Sequence, residues 1–148
     1  MYGREEAKQL NKAFWTTFGK WSTTKRKRLN MRERWLLNKA GIRGYRFRFS
    51  AERKMVGVHL DLVEKFPEAR QNCASKLRFL KDDFEKAIQE PIVWNFETPT
   101  AETAVLSIEK HGLTTMNREH WPLIFEFFYV NMSQLENVFE SSRDFLES

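Results

Sequence analysis

The chain has 148 residues, 41% hydrophobic and 14% aromatic, with 13 Phe and 5 Trp, which is enough for a packed core and argues against a disordered chain. One cysteine, Cys73, excludes an intrachain disulfide, and no apolar window approaches the about 18 residues a membrane helix needs. The net charge of +5 hides an asymmetry: residues 1–54 hold 16 Lys/Arg against 4 Asp/Glu, whereas residues 55–148 hold 9 against 16.

A chain of this length is expected to form one domain. The stretch from Met1 to Leu10 is polar and charged, unlike a secretory signal, so a cytoplasmic location is expected.

In chain order, Ala7, Leu10, Phe14 and Phe18 recur at spacings of three and four, which predicts a helix from about Arg4 to Lys20. Trp21 continues the stripe, and Gly19 favours termination nearby. The run Lys25, Arg26, Lys27, Arg28 then reads as a solvated loop, because four like charges repel one another. Asn30 and Glu33 resemble a capping box for a short helix from about Met31 to Ala40, with Gly41 as a left-handed stop.

Tyr45, Phe47 and Phe49 alternate with Arg46 and Arg48, and Val56, Val58, Leu60 and Leu62 alternate in the same way. A loop of four residues, Ala51 to Lys54, makes them a hairpin pairing Phe49 with Val56 and Phe47 with Val58. The large side chains then share one face, and Arg46, Arg48, Gly57, His59 and Asp61 share the other. Pro67 suits a first helical turn, so a helix is expected from there to about Gln89, burying Ala69, Cys73, Leu77, Leu80, Phe84 and Ile88, with Pro91 beyond its end.

Ile92, Trp94 and Phe96 alternate again, as do Ala104, Leu106 and Ile108. A loop from Thr98 to Glu102 joins them as a second hairpin, whose outer face carries Asn95, Glu97, Thr103, Ser107 and Glu109. A final helix is expected over about Asn117 to Phe145, on the stripe Trp121, Ile124, Phe125, Phe128, Met132, Leu135 and Phe139, with Pro122 in its first turn. The fold class that follows is α+β: a four-stranded antiparallel sheet of two β-hairpins, packed with three main α-helices plus one short helix.

The basic stretch from Lys20 to Lys54 is the main functional lead, with 13 Lys/Arg against Glu33 and Glu52, interleaved with Trp21, Trp35 and Tyr45. Cationic groups on phosphate release counterions, so Lys25, Arg26, Lys27, Arg28, Arg32, Arg34, Arg46 and Arg48 are the candidate contacts to DNA or RNA. The plainer reading is that this basic half packs against, or faces, the acidic half.

Other chemistry is weaker. His59, His111 and His120 lack the spacing of a metal site, so no metal and no cofactor are expected, and His59 near Asp61 reads as a surface cluster. Cys73 lies on an apolar stripe, where burial raises its pKa. Glu52, Arg53 and Lys54 fit half of a metal-dependent nuclease pattern, but on a predicted loop. Phe127 and Tyr129 fall off the main stripe of the last helix, which offers a homodimer or partner-protein surface as an alternative to a central core helix.

Four segments carry a family resemblance. They are Phe14-Trp15-Thr16-Thr17-Phe18-Gly19-Lys20, Trp35-Leu36-Leu37-Asn38-Lys39-Ala40-Gly41-Ile42, the strand Tyr45-Arg46-Phe47-Arg48-Phe49, and Asn117-Arg118-Glu119-His120-Trp121-Pro122. Together they resemble the bacterial domain-of-unknown-function family numbered 4268. In that family the domain occurs alone or behind a nuclease-like domain, and by association this implies a place in nucleic-acid metabolism. The Lys25–Arg28 run departs from the Pro/Ser-containing loop usual in the family. The resemblance carries over no catalytic residue, and the expected function is a non-enzymatic, nucleic-acid-associated domain.

Overall fold

The computed structural model describes residues 3–28, 40–97 and 103–148. In chain order the elements are α1 (Arg4–Arg28), β1 (Tyr45–Ala51), β2 (Met55–Leu62), α2 (Pro67–Phe79), α3 (Lys81–Ala87), β3 (Val93–Trp94), β4 (Thr103–His111), a 3-10 turn (Arg118–His120), α4 (Trp121–Ser141) and α5 (Arg143–Glu147). The strands form one antiparallel sheet in the order β1-β2-β4-β3, so the chain has the α+β fold expected from its patterning. Among the described residues no helix is long and apolar enough to cross a membrane.

Side-chain alternation decides which face of the sheet is buried. Tyr45, Phe47 and Phe49 point inward, with Tyr45 and Phe47 each 5% exposed. Tyr45 and Phe47 both meet the ring of Phe139 on α4, and Phe49 meets Phe18 on α1 and Phe128 on α4. Helix α4 lies between the sheet, α1 and α3, which explains why it is apolar on nearly every side. Phe127 and Tyr129, considered from sequence as a partner surface, are buried within the chain.

The first hairpin differs from expectation by two residues. Phe49 pairs with Val58, Phe47 with Leu60 and Tyr45 with Leu62. Ala51 stays in the strand, opposite Val56, and the turn closes where the Glu52 amide donates to the Met55 carbonyl at 2.7 Å. A two-residue shift keeps every side chain on its face, because the strand repeat is two. It does change partners, setting Arg46 opposite Asp61 and Arg48 opposite His59. In the second hairpin Trp94 pairs with Leu106, the register that a loop over Thr98 to Glu102 requires, although that loop lies outside the described residues.

Helix α1 does not stop near Gly19. Its 25 residues run on through Lys25–Arg28, which is therefore helical and not the expected loop. Two physical reasons account for this. Lys and Arg are good helix formers, and cations in a last turn interact favourably with the negative end of the helix dipole, as Glu5 and Glu6 do at the other end. The short helix expected over Met31 to Ala40, including Trp35, falls almost wholly outside the described residues. Gly41 has the positive φ, 81°, expected of a left-handed stop.

The helix expected from Pro67 to about Gln89 divides at Leu80, whose ψ of 4° ends α2 before α3 begins, and α3 itself ends at Ala87. Its stripe survives the break: Cys73, Leu77, Leu80, Phe84 and Ile88 are all buried, while Ala69 is half-buried. The last helix is likewise divided. Asn117 caps the 3-10 turn by accepting from the Glu119 amide at 3.0 Å, Pro122 lies in the first turn of α4, and Ser142 separates α4 from α5.

Candidate nucleic-acid interface

The outer face of the sheet is polar at its centre. Strand β1 contributes Arg46, Arg48 and Ser50, β2 contributes Gly57, His59 and Asp61, and β4 contributes Ser107. Beside Asp61 the β2–β4 ladder shifts register by one residue, as a β-bulge does.

Asp61 is completely buried. A carboxylate without water needs charged or hydrogen-bonding partners, and two guanidinium groups supply them. Arg46 donates from Nε at 3.2 Å and from Nη2 at 2.7 Å, both to Oδ2. Arg48 donates from Nε to Oδ2 at 2.8 Å and from Nη2 to Oδ1 at 3.3 Å. The arginine side chains remain 30% and 35% exposed, so the carboxylate holds two cationic groups in place at the surface.

His59, expected at the surface, is 6% exposed. Its Nε2 lies 2.7 Å from Ser50 Oγ and its Nδ1 2.8 Å from Ser107 Oγ, so the ring bridges three strands. A hydroxyl can donate or accept, and the pair therefore satisfies either neutral tautomer. Burial, reinforced by the Arg48 charge and opposed by Asp61, pushes its pKa down to about 4. Gly57 makes room for the ring: a Cβ there would stand 2.6 Å from His59 Nε2 and 2.8 Å from Ser50 Oγ. Cys73 is also buried, and burial raises its thiol pKa, as expected for a cysteine on an apolar stripe.

The basic end of α1 divides among different environments. Lys25 Nζ sits 3.3 Å from Glu126 and lies over the rings of Trp21 at 4.8 Å and Tyr129 at 4.6 Å. Arg26 is fully buried and donates from Nη1 and Nη2 to Glu136 at 2.9 and 3.3 Å. This corrects its reading as a solvated residue, since its guanidinium serves the α1–α4 contact. Lys27 and Arg28 occupy the last turn of α1, with side chains outside the described part, and Arg32 and Arg34 lie outside the described residues.

Of the eight candidate phosphate contacts, the structure thus brings Arg46 and Arg48 together around Asp61. It places Lys25 at the end of α1 and removes Arg26 from the surface. Sequence reasoning missed Asp61, Ser50 and Ser107 as organising groups, because a buried carboxylate has no local signature. The available signal was the alternation that put His59 and Asp61 on the same face as both arginines.

Glu52, Arg53 and Lys54 form the β1–β2 turn, as expected. Among the described residues no group of three or more His, Cys, Asp and Glu side chains lies close enough to hold a metal ion.

A four-stranded antiparallel sheet, with a long N-terminal helix and a central apolar helix on its inner face, defines the class of this domain. The model of the family described as Domain of unknown function (DUF4268) matches residues 10–143, and the chain belongs to this family. No curated protein and no solved structure matches the chain significantly.

Proposed function

We propose that the domain is a non-enzymatic, nucleic-acid-associated module that meets the phosphate backbone with the outer face of β1 and the basic end of α1. The observation that supports this reading is the buried Asp61 holding Arg46 and Arg48 in fixed orientation at partial exposure. Ordering an arginine on binding loses side-chain entropy, and a guanidinium already fixed by a carboxylate has lost most of it. Arg48 uses Nε and Nη2 on Asp61, and its Nη1 has no hydrogen-bond partner among the described residues. A phosphate oxygen can accept from it. Lys25, Lys27, Arg28, Arg32, Arg34 and Arg46 complete the proposed set.

Fluorescence anisotropy with a short DNA duplex across a salt series tests the proposal. About six phosphate contacts give a log–log slope near −5, and Arg48→Gln should make it shallower by about one. Absence of binding at low salt, or an affinity that ignores salt, overturns it. A second reading, a protein-interaction or homodimer module, has one observation in its favour. Phe79 is 76% exposed and its ring packs 5.1 Å from that of Phe145. A molar mass that rises with concentration in light scattering, and falls back in Phe79→Ser, would favour it.

A further inference from the structure

Some cations in the described structure have a carboxylate at hand and others do not. Lys25, Arg26, Arg43, Arg46, Arg48, Lys81 and Arg143 all stand within ion-pair distance of an acidic side chain. Lys8, Arg53 and Lys54 do not, among the described residues. These three line one cleft between the first turns of α1, the β1–β2 turn and the segment over 114–116.

The cleft has a volume of about 710 Å³, within the roughly 300–1,000 Å³ usual for small-molecule sites. Its walls combine the three cations and Glu52 with the polar Asn11, Thr114 and Thr115 and the apolar Ala7, Ala51 and Met116. Hydrogen bonds hold these walls in shape. The Gly112 amide donates to the Lys54 carbonyl at 2.8 Å, which ties the hairpin turn to the end of β4. The Thr114 amide donates to His120 Nδ1 at 3.1 Å, and the Trp121 indole donates to the Thr115 carbonyl at 2.8 Å. The Met116 amide donates to the Thr114 hydroxyl at 3.1 Å. A cleft braced in this way needs little ordering when a ligand enters.

Charge and shape select the occupant. Three cations and one carboxylate leave two positive charges in excess, which matches the about −1.5 to −2 of a phosphate monoester near neutral pH. The apolar walls suit an organic body and not a bare ion. We infer that this cleft binds a small organic phosphate, with the phosphate between Lys8, Arg53 and Lys54 and its apolar body against Ala7, Ala51 and Met116. Two sources share this chemistry: a free mononucleotide and the phosphorylated end of a strand. The inference does not depend on the β1 face proposed above.

The test is an NMR titration of the isotope-labelled chain with adenosine monophosphate, inorganic phosphate and a short 5′-phosphorylated oligonucleotide. Amide shifts are expected at Lys8, Asn11, Arg53, Lys54 and residues 114–116. Adenosine monophosphate should bind at least about ten-fold more tightly than inorganic phosphate, because only it reaches the apolar wall. Preference for the mononucleotide assigns a free ligand, and preference for the oligonucleotide, read from the amide shifts of this cleft alone, assigns a strand end. The triple variant Lys8→Gln, Arg53→Gln, Lys54→Gln should lose about ten-fold or more in affinity, with an unchanged melting temperature because these exposed groups form no ion pair among the described residues. Arg48→Gln should leave the titration with adenosine monophosphate unaltered, which separates this site from the β1 face. Absence of shifts up to about 10 mM ligand, equal affinity for inorganic phosphate, or undiminished binding by the triple variant overturns the inference.

Discussion

His59 shows at the scale of one residue how burial sets a pH dependence. Its folded pKa of about 4 lies below the ordinary 6.5. Between those values the unfolded chain takes up a proton that the folded chain refuses, so stability rises with pH across this window. The contribution is complete above about pH 6.5 and is lost as pH falls toward 4, reaching about 3 kcal/mol. Urea midpoints measured from pH 7 to 4.5 should fall in the native chain and fall less in His59→Gln; parallel curves would show that the imidazole is not held neutral. The alternation of β2 made the face of His59 legible in the sequence. Its enclosure was not, because that depends on Ser50 from one neighbouring strand, Ser107 from another and the vacant Cβ position of Gly57.

Helix α1 carries the corresponding lesson for an element. Leu10, Phe14, Phe18, Ser22 and Arg26 follow one another at intervals of four and are all buried. The apolar part of this line is plain in the sequence. Ser22 and Arg26 hid its continuation, since a guanidinium is rarely enclosed without a partner, and the partner, Glu136, stands 110 positions away. Replacing only one member of a buried ion pair takes the opposite charge away from the other while it stays out of water. Glu136→Ala should therefore destabilise the fold by about 3–5 kcal/mol. Chemical denaturation measures this directly, and a loss below about 1 kcal/mol would mean that solvent reaches Arg26. The divided helix α2–α3 was harder to read: its stripe runs unbroken from Cys73 to Ile88, and nothing in the composition near Leu80 marks the change in backbone angle.

For the whole molecule, the charge asymmetry resolves into pairing between the two halves of the chain. Lys25 meets Glu126, Arg26 meets Glu136, and Arg46 and Arg48 meet Asp61, so the basic first part is partly neutralised by the acidic remainder. The plainer of the two sequence readings thus accounts for four of the eight candidate residues as internal partners, although three of the four remain partly exposed. Between these layers the core is a continuous set of rings. Phe128 touches the rings of Phe14, Trp15, Phe18, Phe49 and Phe127, linking α1, β1 and α4. Phe128→Ala should cost about 3–5 kcal/mol, a large part of the 5–15 kcal/mol typical of a domain, and an unchanged denaturation midpoint would contradict this packing.

The burial of Arg26 bears on how the polypeptide could be shortened. A fragment starting beyond residue 28 would take the Arg26 guanidinium away from the Glu136 carboxylate and open Phe125 and Phe128 to water. Residues 4–28 are thus a structural member of the fold and not a detachable basic arm. A protease that clips within them should release nothing until the remainder of the chain also gives way.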